Sequence, residues 1–190
     1  MNKAGKEVLD ILMQGNKNFV EGITTAKNRT VDSLKAVQFK NAPIACIVTC
    51  ADSRTVPEFF FDRGIGDLFV VRGAGGVIGS TMIESIEFAT EQLKVPLVMI
   101  LGHDDCGLMK AVLDSYPNEP ENLSGLLTPV YEIMDNDYNC ISALARDFVL
   151  LEKLNLLKCS NILRKAQEEG RVDIVCGFLK FDSGEVVLLD

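Results

Sequence analysis

The apolar positions of this chain form short continuous runs that are separated by longer amphipathic stretches. Three runs, at residues 44–49, 68–71 and 97–101, are typical of parallel strands that are buried on both faces of a sheet. A fourth strand is predicted at 172–178, and Asp182-Ser183-Gly184 then turns the chain into an antiparallel partner at 185–189.

Helical periodicity occupies the segments between these strands. Residues 6–37 place apolar side chains on one face, with an interruption at Gly15-Asn16, and make up most of a helical arm over 1–40. Between the second and third strands, Thr81-x-x-Glu84 matches a capping box, in which two side chains satisfy free N–H groups at the start of a helix. The remaining helices are predicted at residues 141–156 and 160–169.

The order of these elements indicates the fold class. Residues 115–139 contain three prolines and one glycine, which predicts a loop-rich excursion. The alternation of strands and helices elsewhere predicts an α/β fold with a mostly parallel sheet of about four strands, an antiparallel edge strand and helices on both faces. A length of 190 residues suits one domain, so residues 1–190 are predicted to form a single domain with a helical arm at 1–40.

The composition excludes several classes of function. A formal net charge of −8 argues against nucleic-acid binding, because no basic stripe is available to neutralise phosphates. No apolar run approaches the ~20 residues that a bilayer-spanning helix needs, and acidic residues come too early for a secretory signal. Four cysteines without the spacing of a disulfide framework are predicted to be reduced core thiols of a cytoplasmic protein. They are Cys46, Cys140, Cys159 and Cys176.

Two short motifs carry the candidate chemistry. Cys50 directly follows the first apolar run, whereas His103 and Cys106 follow the third, where a strand is predicted to turn into a helix. Two cysteines and one histidine form the ligand set of a zinc site with an open fourth position. Because ligands of an open α/β sheet bind beyond the carboxyl ends of its strands, the two motifs converge if the first and third strands are neighbours. The alternative is that all three are ordinary interior residues.

Charged residues beside the first motif favour catalysis. Asp52 and Arg54 come directly after Cys50, and a guanidinium can bind a carboxylate through two hydrogen bonds that fix its direction and keep it ionised. The alternative is a surface ion pair worth only ~0–1 kcal/mol. Asp104 and Asp105 are predicted to be solvated or to cap the following helix, with proton release as the alternative. A Ser-His-Asp site is excluded, because the only histidine is a predicted metal ligand.

Glycines complete the candidate site. The segment Gly73-x-Gly75-Gly76-x-x-Gly79 follows the second strand, but its spacing does not match the G-x-G-x-x-G dinucleotide motif. It is predicted to bring backbone close to the metal pocket and to leave room for a small substrate. Gly107, next to Cys106, is predicted to expose a backbone N–H to substrate.

The chain resembles the β-class carbonic anhydrases. Their signatures, C-x-D-S-R and H-x-x-C-G, stand unbroken at 50–54 and 103–107. Residues 12–19 resemble the amino-terminal helix of that family, 66–72 its second strand and 177–189 its final hairpin. The resemblance therefore extends over nearly the whole chain.

This resemblance implies a function. It implies one Zn2+ ion on Cys50, His103 and Cys106, and reversible hydration of CO2 to bicarbonate and a proton by zinc-bound hydroxide. Asp52, oriented by Arg54, would direct the hydroxide, and at low pH it would become a conditional fourth zinc ligand. The resemblance further implies a homodimer or a higher multiple of dimers, in which the helical arm embraces the partner.

Some positions depart from the family pattern, and two alternatives stay open. Residues 72–76 read Arg-Gly-Ala-Gly-Gly where the family usually has R-N-A-G-N, and Lys180 replaces a usual tyrosine. Ile47 stands where bicarbonate-regulated members carry tryptophan, so no regulatory bicarbonate site is predicted, and Arg72 is expected to pair with an acidic neighbour. The alternative functions are hydrolysis of carbonyl sulfide or carbon disulfide at the same zinc, and a non-catalytic zinc-binding protein of the same fold.

Overall fold

The computed structural model describes residues 1–25, 28–118, 123–134, 138 and 140–189. The strands are β1 (Ala45–Cys50), β2 (Leu68–Gly73), β3 (Leu97–His103), β4 (Asp173–Leu179) and β5 (Val186–Leu189). The helices are α1 (Lys3–Val20), α2 (Val31–Val37), α3 (Pro57–Phe60), α4 (Ser80–Glu91), α5 (Gly107–Ser115), α6 (Ser124–Tyr131), α7 (Ile141–Cys159) and α8 (Asn161–Glu168). A 3-10 turn at Ala74–Gly76 joins β2 to α4.

The five strands form one sheet in the order β2-β1-β3-β4-β5. Strand β1 pairs in parallel with β2 and β3, and β3 pairs in parallel with β4, whereas β5 runs antiparallel at the edge. All six residues of β1 are buried, as expected for a central parallel strand. The predicted α/β sheet is confirmed, and its first and third strands are neighbours.

Helices cover both faces of this sheet. Because side chains alternate along a strand, Cys46 and Val48 of β1 pack in the cluster formed with α4, α7 and α8. Ala45 and Ile47 point the other way and pack against α1 and α3. The two apolar layers thus hold the central strands in place.

None of the described helices is long and apolar enough to cross a membrane.

Helix α1 continues through Gly15-Asn16, so the predicted interruption is wrong. A side chain at Gly15 would overlap the backbone of Phe61, and the glycine therefore permits close helix packing. Asn16 is buried, and its amide group donates to the carbonyls of Phe60 at 3.0 Å and Gly184 at 2.9 Å. Gly15 and Asn16 therefore pack α1 against the end of α3 and the final hairpin, and they do not break the helix. The arm does break after Val20, and α2 begins at Val31.

Helix α4 does not begin with the predicted capping box. It begins at Ser80 with Gly79 as the N-cap residue, and no side chain caps it. Thr81 is therefore already inside the helix. The inward face of α4 carries Ile86 and Ala89, which are fully buried in the core.

The segment 115–139 contains more regular structure than its prolines indicate. Helix α6 includes Pro129 and is retained because Leu127 and Val130 are fully buried. Residues 119–122, 135–137 and 139 of this segment lie outside the described part of the chain.

The cysteines outside the motifs divide into two groups. Cys46 and Cys176 are buried thiols, as predicted. Cys140 and Cys159 are exposed, so the prediction that they belong to the core is wrong. They lie at the two ends of α7, where the helix surface meets solvent.

Candidate metal centre

The carboxyl ends of β1 and β3 bring the three predicted ligands together. Cys50 is the last residue of β1, His103 is the last residue of β3, and Cys106 is the N-cap of α5. All three are buried, and their ligand atoms lie within 4.8 Å of one another. Parallel pairing of the two strands produces this convergence across 53 residues of sequence, because it aligns their carboxyl ends at one edge.

The imidazole of His103 is oriented for metal binding. Its Nδ1 lies 2.7 Å from the carbonyl oxygen of Asp104, and an N–H donor at Nδ1 leaves the lone pair on Nε2. Nε2 is buried and has no hydrogen-bond partner among the described residues. The ring also stacks on Phe181, with 5.1 Å between centroids. A buried nitrogen without a partner, aimed at two thiols, fits a metal ligand.

Cys50 is the more readily ionised member of the cysteine pair. The hydrogen bond from the Cys106 thiol lowers the pKa of Cys50 to about 4 against the effect of burial, with further contributions from His103 and two backbone N–H groups. Those N–H groups belong to Asp52, at 3.3 Å from the sulfur, and Gly75, at 3.2 Å. The shared hydrogen bond and burial raise the pKa of Cys106. Two sulfurs and one imidazole nitrogen fit the ligand preference of Zn2+.

The glycine segment closes over Cys50, and its backbone approach to the site is as predicted. Gly75 and Gly76 have φ angles of +67° and +72°, which side chains rarely adopt. A methyl group built on Gly75 would overlap Leu108, so this space is filled by protein and is not free for substrate. The Gly75 N–H that reaches the Cys50 sulfur was not foreseen from the sequence, although glycines at a strand end beside a ligand were a signal for it.

Asp52 and Arg54 form the predicted pair. Both carboxylate oxygens of Asp52 accept from Arg54, with Oδ1 at 3.0 Å from Nε and Oδ2 at 2.8 Å from a terminal nitrogen. The backbone N–H of Arg54 adds a third bond at 2.9 Å. The Arg54 side chain holds the pKa of Asp52 well below its usual range, against the effect of burial. The Asp52 side chain is 16% exposed and that of Arg54 47%, so the carboxylate is largely shielded from solvent while the guanidinium is about half exposed.

Two further residues fix Arg54, and sequence reasoning missed both. Asp105 accepts from the guanidinium through its side chain at 3.1 Å and through its carbonyl at 3.0 Å. The guanidinium also lies over the ring of Phe181, 4.5 Å from its centroid. Phe181 thus contacts both the ligand His103 and the cation that orients Asp52.

The expected roles of Asp104 and Arg72 need correction, whereas Asp105 is solvated as predicted, with its side chain 65% exposed. No side chain caps α5, and the Asp104 carboxylate instead accepts from the hydroxyl of Ser142 at 2.6 Å and from a backbone N–H of the final hairpin at 3.1 Å. Arg72 pairs with no acidic neighbour among the described residues. It donates to the carbonyls of Cys50 at 3.1 Å and Asp52 at 2.7 Å, because β2 lies directly beside β1.

Gly107 and Lys180 lie at the border of the site. Gly107 is the exposed first residue of α5, and open space surrounds the position of a side chain there. Lys180 pairs with Glu185 in the final hairpin at 2.8 Å. It also borders a pocket of about 450 Å3 whose other lining residues are Phe19, Arg54, Phe60, Leu179, Phe181 and Gly184.

Comparison with known proteins agrees with this geometry. Residues 45–186 match the family model described as carbonic anhydrase. A stretch of 102 residues is 46% identical to carbonic anhydrase 2 of Mycobacterium tuberculosis, covering 54% of this chain and 49% of the relative. A stretch of 121 residues is 40% identical to a carbonic anhydrase of Mycolicibacterium smegmatis, covering 64% of this chain and 58% of the relative. The matched part of the chain thus spans about half the length of these relatives.

Solved structures share the same fold. One of two tetrameric β-carbonic anhydrases from the fungus Sordaria macrospora superposes with a TM-score of 0.71 at 22% identity, covering 82% of this chain and 85% of that one. The family match includes both signature motifs and all three candidate ligands. The chain therefore belongs to the carbonic anhydrase family, in its β-class.

Proposed function

We propose that this protein catalyses the reversible hydration of CO2 to bicarbonate and a proton, at a zinc ion held by Cys50, His103 and Cys106. The observation that carries the proposal is the buried cluster of two thiols and an imidazole, in which Nε2 of His103 has no partner among the described residues. The chemistry that zinc supplies when bound is a nucleophile at neutral pH, because the pKa of its water ligand falls towards ~7.

Asp52 and Arg54 orient this nucleophile. Arg54 occupies both Asp52 oxygens and keeps the group ionised, so Asp52 can only accept hydrogen bonds. With zinc bound, Asp52 would accept one from the nucleophile and so set its direction towards the carbon of CO2. If Arg54 releases it, Asp52 is free to act as a fourth ligand. That conditional role remains a prediction.

Substrate binding needs little polar recognition, since CO2 is small and uncharged. Phe60 and Phe181 give the pocket beside Arg54 an apolar wall that suits such a molecule. The backbone N–H of the exposed residue Gly107, beside Cys106, is proposed to bind an oxygen of the substrate or of bicarbonate. Proton release uses buffer or solvent, because the single histidine is a metal ligand.

We further propose that the protein works as a homodimer or a multiple of dimers in the cytoplasm. Apolar side chains on the arm are exposed in the single chain, with Phe39 94% and Val31 69% accessible. Such a patch is typical of an interface between subunits. The described helices include no candidate membrane span, which is consistent with the proposed location.

Zinc content and CO2 hydration measured on the same purified sample test the proposal. We expect about one zinc per chain, and large losses of zinc in Cys50→Ser, His103→Ala and Cys106→Ser. Cys46→Ser is the matched control, because it removes a buried sulfur four residues earlier on β1 and should retain zinc. Full zinc retention in all three ligand variants would contradict the assignment. The same sample is also assayed with carbonyl sulfide and carbon disulfide. A zinc-loaded protein that hydrolyses one of these but does not hydrate CO2 would contradict the proposed reaction and favour that hydrolysis.

A further inference from the structure

A buried carboxylate lies outside the site. Glu152 is on α7 and is only 3% exposed. Its Oε2 accepts the backbone N–H of Ile78 at 2.5 Å. Burial raises the pKa of Glu152 to about 7, opposed by the Ile78 N–H and by Asn155, while the charge of Glu132 raises it further. A buried carboxylate destabilises the folded state unless hydrogen bonds compensate for its lost hydration.

The bonded N–H belongs to the loop that closes over Cys50. Ile78 is three residues beyond Gly75, whose own N–H binds the Cys50 sulfur at 3.2 Å. Val77, between them, is buried in the same apolar cluster as Cys50 and Cys106. Four of the seven residues 73–79 are glycine, so this loop has little stiffness of its own. Its position over the sulfur therefore depends on outside contacts.

Helix α7 makes such contacts with the segments beside two of the ligands, His103 and Cys50. Ser142, near the start of the helix, donates to the carboxylate of Asp104, whose carbonyl orients His103. Glu152, ten residues and about 15 Å further along the helix, holds the loop at Ile78. One rigid helix thus connects the segment beside His103 with the segment beside Cys50.

We propose that Glu152 is a positioning residue of the metal centre: through Ile78 it fixes the 73–79 loop so that the Gly75 N–H stays on the Cys50 sulfur. The role depends on an acceptor atom at this position and not on packing alone. It rests on the zinc site proposed above, but the contact between Gly75 and Cys50 is measurable without zinc.

The test compares Glu152→Gln, which keeps an acceptor oxygen in the same shape, with Glu152→Met, which fills the space without one. Amide resonances of Gly75 and Ile78 are recorded in the reduced protein with and without zinc, and zinc affinity is measured by competition with a chelator. We expect Glu152→Met to shift both resonances and to weaken zinc binding by about 10- to 100-fold, as for other groups that orient metal ligands. Glu152→Gln should restore the Gly75 resonance and most of the affinity.

A matched control separates positioning from general loss of stability. Leu163→Ala removes buried apolar volume from α8, against the same face of the sheet, and should leave the Gly75 resonance and the zinc affinity unchanged. An unmoved Gly75 resonance in Glu152→Met would overturn the proposal, as would a loss of zinc affinity in Leu163→Ala of the same size. Absence of zinc from the wild-type protein would count against the proposed function, while the metal-free Gly75 resonance still decides the role of Glu152.

A second measurement applies if Glu152→Met does not fold. In the wild-type protein the Ile78 amide resonance should follow the ionisation of Glu152, and the Gly75 resonance should move with the same midpoint. Both movements should vanish in Glu152→Gln. A Gly75 resonance that stays fixed while that of Ile78 titrates would show that the loop does not transmit the contact.

Discussion

At the scale of single residues, the site works by fixing directions. Asp52 is held by Arg54, and Arg54 is itself held by Asp105 and by the face of Phe181. The same ring stacks on His103. A hydrogen-bond acceptor whose direction is already fixed does not have to reorganise during the reaction. Such electrostatic preorganisation is the largest single contribution to the rate enhancement of many enzymes.

The two carboxylates on Arg54 offer a matched pair of substitutions. Asp52→Asn should lower CO2 hydration by about 100-fold or more while zinc content is retained, because an amide presents an N–H donor in place of an oriented acceptor. Asp105→Asn should lower it much less, since the Asp105 carbonyl still accepts from the guanidinium at 3.0 Å. Stopped-flow assays with metal analysis measure both. Near-normal turnover in Asp52→Asn would contradict the orienting role.

Gly75 and Gly79 provide a second comparison in one loop. Gly75→Ala should destabilise the protein by about 1–3 kcal/mol and weaken zinc binding, because an alanine strains the positive φ and meets Leu108. Gly79→Ala has open space and an ordinary φ, so it should change stability by less than about 1 kcal/mol. Denaturant unfolding and zinc titration measure the difference. Equal effects of the two substitutions would show that the backbone conformation of Gly75 is not required for stability or zinc binding.

At the scale of elements, two helices locate the site without supplying a ligand. Helix α1 anchors the final hairpin, because Asn16 bonds both Gly184 and Val186, and this hairpin carries Phe181. Helix α7 holds Asp104 through Ser142 and the glycine loop through Glu152. The ligand geometry therefore depends on packing as well as on the two motifs.

The burial of Glu152 predicts a pH dependence of stability. Its pKa is about 7 in the folded protein against an ordinary 4.5, so the folded state binds more protons between these values. Stability should therefore fall as pH rises from about 4.5 to 7, by an amount on the order of 3 kcal/mol from this group. Glu152→Gln should remove that part of the decline, as measured by urea unfolding at several pH values. Glu168→Gln, an exposed glutamate on α8, is the control and should follow the wild type. Parallel pH curves for wild type and Glu152→Gln would contradict the prediction.

At the scale of the whole molecule, the single histidine limits proton transfer. Its Nδ1 and Nε2 are both committed, one to the Asp104 carbonyl and one to the proposed metal. At low buffer concentration we expect proton export to limit turnover, so an imidazole-type buffer should raise kcat much more than kcat/KM. A kcat independent of buffer concentration would indicate an internal proton route.

The exposed arm predicts assembly. Sedimentation of the wild-type protein should give a dimer or a multiple of dimers, and Phe39→Asp should shift it towards the monomer, because a charge replaces a 94% exposed aromatic ring. Leu154→Asp changes an equally apolar residue, 65% exposed on α7 away from the arm, and should leave assembly intact. A monomeric wild-type protein at micromolar concentration would contradict the proposal.

Local sequence determined the strands and the ligand types of this protein. Continuous apolar runs predict buried parallel strands because both faces of such strands must be covered, and β1, β2 and β3 lie close to the predicted bounds. The spacing of His103 and Cys106 placed two ligands at one strand end. Both signals lie within a few consecutive residues, so they do not depend on contacts with distant parts of the chain.

Tertiary structure alone decided what surrounds those ligands. Strand order made Cys50 and His103 neighbours, and contacts between distant segments brought Glu152 to Ile78 and Phe181 to Arg54. The predicted helix interruption at Gly15 and the predicted loop around Pro129 are wrong for the same reason, because close packing and burial outweigh the local preferences of these residues. Such contacts join residues far apart in the chain, and their free energy exists only once the core has formed, so no local pattern encodes them.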